Sequence, residues 1–290
     1  MFVATLLCDP SSPKLDAALP ANLRNAWGGG DVIWLMPDVA AEFALASVPA
    51  NVEQVWEECQ TLGVDLVIQP MEGRRKKMLL ADMDSTMIQQ ECIDELADEA
   101  GVGARVADIT ARAMNGELDF EAALKERVGL LEGLESGVIE TVLATRITYM
   151  PGGKELVSTM KANGAYAALV SGGFTAFTAS VAAALGFDEN RANTLLEEGG
   201  KLTGQVAMPI LGREAKVQAL EEITARLGIS EADVLAVGDG ANDLGMLQRA
   251  GAGVALHAKP TVQAQAKIRV NHGDLTALLF LQGYAVNDFA

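Results

Sequence analysis

The sequence predicts an α/β protein in which a parallel sheet is covered by helices on both faces, preceded by a small α+β unit and interrupted by a helical insertion. Three observations carry this expectation. From Lys77 onward, short apolar runs alternate with helical patterns, as they do when strands are buried on both faces. Two of those runs end in aspartate clusters, Asp82-Met83-Asp84 and Asp239-Gly240-Ala241-Asn242-Asp243. Between the first run and the next, residues 88–148 keep a helical period, through Ile93, Leu96, Ala97 and Ala100 and then Phe120, Ala123, Leu124, Val128 and Leu131.

The first 73 residues read in order as strand Phe2–Cys8, helix Leu15–Trp27, strand Val32–Met36, strand Ala41–Ser47, helix Val52–Leu62 and strand Val64–Gln69. Gly28-Gly29-Gly30 and Pro49 punctuate the pattern. This βαββαβ order suggests a ferredoxin-like unit, the arrangement of ACT-type amino-acid sensor domains. Gly73-Arg74-Arg75-Lys76-Lys77 reads as a solvated linker, so the chain divides into 1–73 and 74–290. Strands of the main sheet are expected at Met78–Asp82, Tyr166–Val170, Val234–Val237, Gly253–Ala255 and Ile268–Val270, a Rossmann-like arrangement. The helical insertion at about 88–148 follows the first of these strands. There it would cap the carboxyl edge of the sheet, where parallel strands bind ligands.

Composition narrows the function classes. Half the 290 residues are hydrophobic and 21% are charged, enough apolar material for a core and too much for general disorder. A net charge of −17 repels nucleic acid and anionic lipid, which makes the basic linker a poor nucleic-acid patch. Cys8, Cys59 and Cys92 share no metal-ligand spacing, so neither a disulfide framework nor a zinc site is indicated. The segment MFVATLLCDPSS has no basic region or long apolar run, and no apolar stretch reaches the length of a membrane span. A cytoplasmic protein without membrane or nucleic-acid partners is expected.

The chemistry sits at the strand ends. Alternation along an extended chain puts Asp82 and Asp84 on the same side, and two carboxylates so close call for a cation. Mg²⁺, a hard cation that takes carboxylates, carbonyls and waters, suits them. One D-x-D alone would usually be a solvated turn, but a second acidic cluster ends the Val234–Gly238 run. Between the two clusters, Ser171-Gly172-Gly173 ends a strand with a hydroxyl and backbone N–H groups able to face a phosphate. Lys216 offers a point charge for phosphoryl oxygens. His257 and His272, the only histidines, have no second ligand at metal spacing and read as structural or surface residues. Gly28–Gly30 matches no dinucleotide motif, and the methionines read as core fillers.

The order D-x-D-S-T, S-G-G, a single lysine and G-D-G-A-N-D resembles the four motifs of haloacid-dehalogenase-like phosphatases, over roughly residues 77–290. The resemblance implies hydrolysis of O-phospho-L-serine to L-serine and phosphate through an aspartyl-phosphate, the last step of serine biosynthesis. It gives Asp82 as the nucleophile and Asp84 as the acid that protonates the leaving oxygen and then activates water. It implies Mg²⁺ held by Asp82, Asp239 and the Asp84 carbonyl, with Asp243 supporting its water shell. Ser171, Gly172 and Lys216 would hold the phosphoryl group, with Asn242 beside it. In the cap, Glu91 would take the serine ammonium, Arg127 its carboxylate, and Met114 and Phe120 would form an apolar lid. Glu91 and Arg127 alone would read as helix-surface charges.

Two rival expectations stand beside this one. Phosphothreonine or homoserine phosphate would use the same catalytic motifs, and pocket volume would decide among them. A phospho-acceptor signalling domain also combines acidic residues, a hydroxyl and a lysine, but is near half this length and has no cap. The sequence leaves oligomeric state open, with a homodimer one option.

Overall fold

The apolar runs pair into two separate sheets. The computed structural model, which describes residues 1–114 and 118–290 apart from the Met114 side chain, forms the first sheet from residues 2–70. That unit runs β1 (Phe2–Leu7), α1 (Ala18–Trp27), β2 (Ile33–Met36), β3 (Ala40–Leu45), α2 (Val52–Leu62) and β4 (Asp65–Pro70). Its strands are antiparallel in the order β2-β3-β1-β4, the ferredoxin-like arrangement expected from the sequence. Ala4 and Leu6 of β1 pack with Phe43, Val55 and Cys59 beneath the two helices. Leu7 and Val67 join the apolar core of the second unit. A sheet buried on both faces therefore fixes the first unit against the second.

The second unit opens with β5 (Met78–Ala81), followed by α3 (Cys92–Glu99), α4 (Gly103–Met114), α5 (Phe120–Gly129), α6 (Val138–Thr145) and α7 (Gly153–Ala162). Then come β6 (Tyr166–Phe174), α8 (Thr175–Leu185), β7 (Glu189–Asn193), and a hairpin of β8 (Leu195–Glu198) and β9 (Lys201–Val206). The chain closes with α9 (Arg213–Leu227), β10 (Val234–Gly238), α10 (Leu244–Arg249), β11 (Ala252–Leu256), α11 (Pro260–Gln263), β12 (Ile268–Val270) and α12 (Ala277–Leu281). Six parallel strands lie in the order β12-β11-β10-β5-β6-β7. Period-two alternation in β5 sends Leu79 and Ala81 into one helical layer and Met78 and Leu80 into the other. Because β5 has the next strand in sequence on one side and β10 on the other, the order reverses at β5. Its carboxyl end is the crevice where such sheets bind ligands.

Several expectations are corrected here. The expected helical insertion after β5 is present as separate helices, with left-handed glycines at two of the breaks, Gly101 at φ 69° and Gly133 at φ 82°, whereas other elements depart from the sequence reading. The edge strand β7 went unrecognised because its sequence, ENRAN, carries no β-branched or aromatic residue. The β8–β9 hairpin was likewise missed, and it packs on α5, so the cap draws on a second stretch of chain. Helix α1 starts at Ala18 and not Leu15, because the Leu15 N–H bonds the Asp38 carbonyl at 2.9 Å and draws that side chain into the core.

The basic segment is pinned and not a solvated linker. Arg74 makes a bidentate pair with buried Glu42 at 2.6 and 3.0 Å, and the Arg75 guanidinium lies 4.2 Å from the centre of the Tyr284 ring. Lys76 donates to the carbonyls of Gly73 and Ala232, each at 2.8 Å. A second tie is Asp65, fully buried, whose carboxylate accepts the backbone N–H groups of Asn271, His272 and Gly273, each at 2.9 Å. Arg269 adds a contact to Glu53 at 3.0 Å and stacks on Trp56 at 3.7 Å. Asp65→Ala would strand those three donors, the Gly273 N–H buried and the other two half-buried, and should destabilise the protein by about 3 kcal/mol in chemical denaturation. A change below about 1 kcal/mol would mean the tie contributes little.

Candidate active site

The carboxyl ends of β5, β6 and β10 meet under the cap in a cavity of about 330 Å³. Asp82, Asp84, Glu91, Phe120, Arg127, Ser171, Gly172, Asp239 and Asn242 all line it. Residues separated by up to 160 positions in sequence thus converge on one crevice. Lys216 and Asp243 stand directly behind it, buried and bonded to its wall. Met114 ends α4, and its side chain lies outside the described residues.

Lys216 is the hub of the floor. Its Nζ donates to Asp82 Oδ1 at 2.7 Å and to Asp243 Oδ1 at 2.5 Å, with all three side chains nearly sealed from solvent. Burial alone would lower the Lys216 pKa, but Asp243 and then Asp82 outweigh it and hold the ammonium above the usual lysine range. Asp82 Oδ1 also accepts the Met83 N–H at 2.8 Å, so both bonds fall on one oxygen and neither engages Oδ2. Burial, and next Asp243, push the Asp82 carboxyl up, against the pull of Lys216.

Asp82, Asp239 and Asp243 bring one carboxylate oxygen each within 4.8 Å of one another. Thr86 Oγ1 donates to Asp239 Oδ1 at 3.1 Å, and Gly240 N–H to Asp243 Oδ2 at 2.9 Å. Gly238 has to be a glycine, since a Cβ there would stand 2.4 Å from Asp243 Cγ. Burial, then Asp243 and Glu91, push the Asp239 carboxyl up to about 7. One ammonium among three buried carboxylates leaves an excess of negative charge, and hard oxygen ligands at this spacing fit a divalent cation.

Asp84 lines the same cavity as Asp82 and Asp239. Its Oδ1 accepts the Cys92 N–H at 3.2 Å, and its Oδ2 lies so near Gly173 that a Cβ there would come within 2.7 Å. Burial, then Glu91, push its carboxyl up to about 7, while the Cys92 contacts work against them. Such a group exchanges a proton near neutral pH. Glu91, at the N-cap of α3, accepts from Ser85 Oγ at 2.7 Å, and Ser85 reaches it from a left-handed backbone at φ 54°. Arg127 on α5 donates to Thr110 Oγ1 at 3.2 Å and to the Ala123 carbonyl at 3.3 Å. Burial lowers the Arg127 pKa, opposed by Asp94, Glu91 and Asp84. An anionic and a cationic side chain thus face one cavity from two cap helices.

Sequence reasoning missed several members of the site. Thr110, Arg213, Lys259 and Thr261 line the cavity, and Thr86 braces Asp239. Arg213 lies one helical turn before Lys216, a spacing legible in the sequence. Nothing local singles out Thr110 on its amphipathic helix. His257 is structural, its Nε2 bonded to the Gly273 carbonyl at 2.8 Å. Cys8, Cys59 and Cys92 are buried free thiols, and no described helix is long and apolar enough to cross a membrane.

Carboxylates around a buried ammonium at the switch point of a capped parallel sheet place acidic groups where such sheets bind ligands, as a hydrolase that works through acidic groups requires. Residues 79–248 match the haloacid dehalogenase-like hydrolase family, and the chain belongs to it. A phosphoserine phosphatase of Streptomyces coelicolor is 38% identical over 97% of this chain and 70% of its own. One from Archaeoglobus fulgidus is 44% identical over 76% of this chain and 64% of its own, so this chain spans less than two thirds of that relative. Among solved structures, the hydrolase t0658 of Salmonella enterica serovar Typhi superposes with a TM-score of 0.85 at 30% identity, covering 97% of this chain and 98% of that one. A phospho-aspartyl intermediate analogue of phosphoserine phosphatase gives 0.67 at 42% identity, over 71% and 98%.

The raised carboxyls set the pH response of the metal-free protein. Asp84 and Asp239 bind their protons more tightly folded, near pH 7, than unfolded, near 3.8, so stability is lost as pH rises between those values. Without divalent cations, thermal unfolding should begin lower at pH 8 than at pH 5, and a bound cation should restore more stability at pH 8. Asp239→Asn should flatten both effects. A metal-free midpoint that climbs from pH 5 to pH 8 would contradict this electrostatic description.

Proposed function

We propose that this protein hydrolyses O-phospho-L-serine to L-serine and phosphate through an aspartyl-phosphate on Asp82. The observation that carries this reading is the shared cavity: phosphate chemistry at its floor, and Glu91 and Arg127, the two charges a zwitterion needs, in its cap. The names of the curated relatives and of the phospho-aspartyl analogue support the same reading. The division into an N-terminal unit, residues 1–73, and a catalytic unit, 74–290, with its cap at about 88–148, belongs to this proposal. So do a cytoplasmic setting and a place at the end of serine biosynthesis.

In this reading Lys216 fixes Asp82 through Oδ1 and leaves Oδ2 to attack phosphorus. As the new O–P bond forms, the bond to the serine oxygen breaks, and Asp84, whose carboxyl burial and then Glu91 push up to about 7, gives that oxygen its proton. The resulting Asp84 carboxylate takes a proton from water, whose oxygen attacks the same phosphorus and releases Asp82 and phosphate. Ser171, the Gly172 N–H, Lys216 and Asn242 hold the phosphoryl oxygens as their charge shifts. Glu91 takes the substrate ammonium and Arg127 its carboxylate, with Phe120 closing over them. Asp82, Asp239 and the Asp84 carbonyl would hold Mg²⁺ with Asp243 alongside, and the ion would supply positive charge against the phosphoryl oxygens.

Asp82→Asn is nearly isosteric and should lose almost all turnover while keeping a cooperative unfolding transition. Substantial phosphatase activity in that variant would remove Asp82 as nucleophile. Specificity is tested separately, by comparing two substrates. Arg127→Ala and Glu91→Ala each remove an anchor that phosphoserine uses and p-nitrophenyl phosphate does not. On phosphoserine kcat/KM should fall by about 30- to 3,000-fold, and much less on the aryl ester. Equal losses on both substrates would reduce the proposal to an unspecified small-molecule phosphatase.

A further inference from the structure

We propose that Asn193 is a positioning residue that sets the seat on which Phe120 of the cap closes, and so tunes turnover of the capped substrate. This rests on the phosphoserine reading above. Asn193 ends the edge strand β7 and is 1% exposed. In the ladder between β6 and β7 the register shifts between Val170 and Phe174, and no ladder pair covers Ser171-Gly172-Gly173. The side chain of Asn193 fills part of that gap. Its Nδ2 donates to the Gly172 carbonyl at 2.8 Å and to the Leu211 carbonyl at 3.1 Å, while its Oδ1 accepts the Leu211 N–H at 2.7 Å.

One amide thus places a bond inside the ladder gap, to Gly172, and two more on Leu211 outside it. It grips Leu211 by N–H and C=O together, as a neighbouring strand would, and joins it to the loop that carries Ser171 and Gly172. The residue after Leu211 is Gly212, the N-cap of α9, which holds Lys216.

Phe120 lies against both ends of this clip. A Cβ on Gly172 would stand 3.1 Å from Phe120 Cζ, and one on Gly212 would stand 3.2 Å from Phe120 Cδ1. The ring therefore rests on two glycines from different loops, and neither position has room for a side chain unless the ring shifts. Asn193 bonds Gly172 itself and Leu211 beside Gly212, so it fixes the spacing of the two supports. Phe120 is the first residue of α5, the helix that also carries Arg127. A displaced seat would be felt where the cap meets the substrate.

A double-mutant cycle on phosphoserine tests this. Asn193→Ala strands two carbonyls and one N–H and should lower kcat/KM by about 10- to 100-fold. If Asn193 acts through the seat, that loss should shrink to below about 3-fold in a Phe120→Ala background, because no ring remains to be seated. Gly212→Ala approaches from the opposite side. At φ −104° the backbone accepts alanine, and its Cβ crowds the ring without breaking any Asn193 bond. It should lower kcat/KM by about 3- to 10-fold, again only when Phe120 is present, with an unchanged unfolding midpoint. If Asn193→Ala fails to fold, the Gly212 arm decides alone. Losses that multiply independently of Phe120 would overturn the assignment, and so would a Gly212→Ala enzyme with wild-type rates. Absence of phosphoserine turnover in the unmutated protein would instead count against the substrate reading.

Discussion

The arrangement around Lys216 constrains the rest of the molecule. An ammonium excluded from water is unfavourable unless charges of opposite sign surround it, and Asp82, just past β5, and Asp243, at the N-cap of α10 beyond the adjacent β10, do so. Those strands must then be parallel neighbours, and the helix that carries Lys216 must cross behind them. The reversal of strand order at β5 supplies that geometry. Three carboxylates against one fixed ammonium leave the floor short of positive charge, so a cation fits there, and an anionic phosphoryl group fits only beside that cation.

The cap answers a different constraint. Phosphate chemistry is common to many esters, so selectivity has to come from groups that meet the rest of the substrate. Glu91 starts α3 and Arg127 lies near the end of α5, and each is braced by a hydroxyl, Ser85 and Thr110 respectively. Short polar braces on neighbouring elements hold long side chains in fixed rotamers, and under the proposed function that would reduce the entropy lost on binding a small zwitterion. The N-terminal unit is tied to the basic segment through the Glu42–Arg74 pair, and to the segment after the edge strand β12 through Asp65. His257 carries that tie onward, since it bonds Gly273 and precedes Lys259 at the cavity mouth.

What could be read from sequence followed from where physics concentrates the signal. Strands buried on both faces leave unmistakable apolar runs, and polar clusters at their ends stand out against them, so Asp82, Asp84, Ser171 and Asp239 were legible as one crevice. The βαββαβ rhythm of the first seventy residues was legible for the same reason. Edge elements were not. In β7 two residues are buried out of five, and its composition follows side-chain partners supplied by tertiary contacts. Asn193 therefore carries no local signal in the sequence, although its three bonds bridge two loops of the site. The basic segment misled because charge density suggests solvent, whereas Arg74 found a buried glutamate that only the folded first sheet presents.

The central claim is that Asp82 becomes covalently phosphorylated while Asp84 manages the proton. Its most direct test is to mix the protein with Mg²⁺ and isotopically labelled phosphoserine, quench in acid within a single turnover, and map the label by peptide mass spectrometry. The account predicts a hydroxylamine-sensitive acyl phosphate on the peptide containing Asp82, formed and lost at rates that match turnover. Phosphate released with the phosphoryl group never attached to Asp82, or attached first to another side chain, would contradict it.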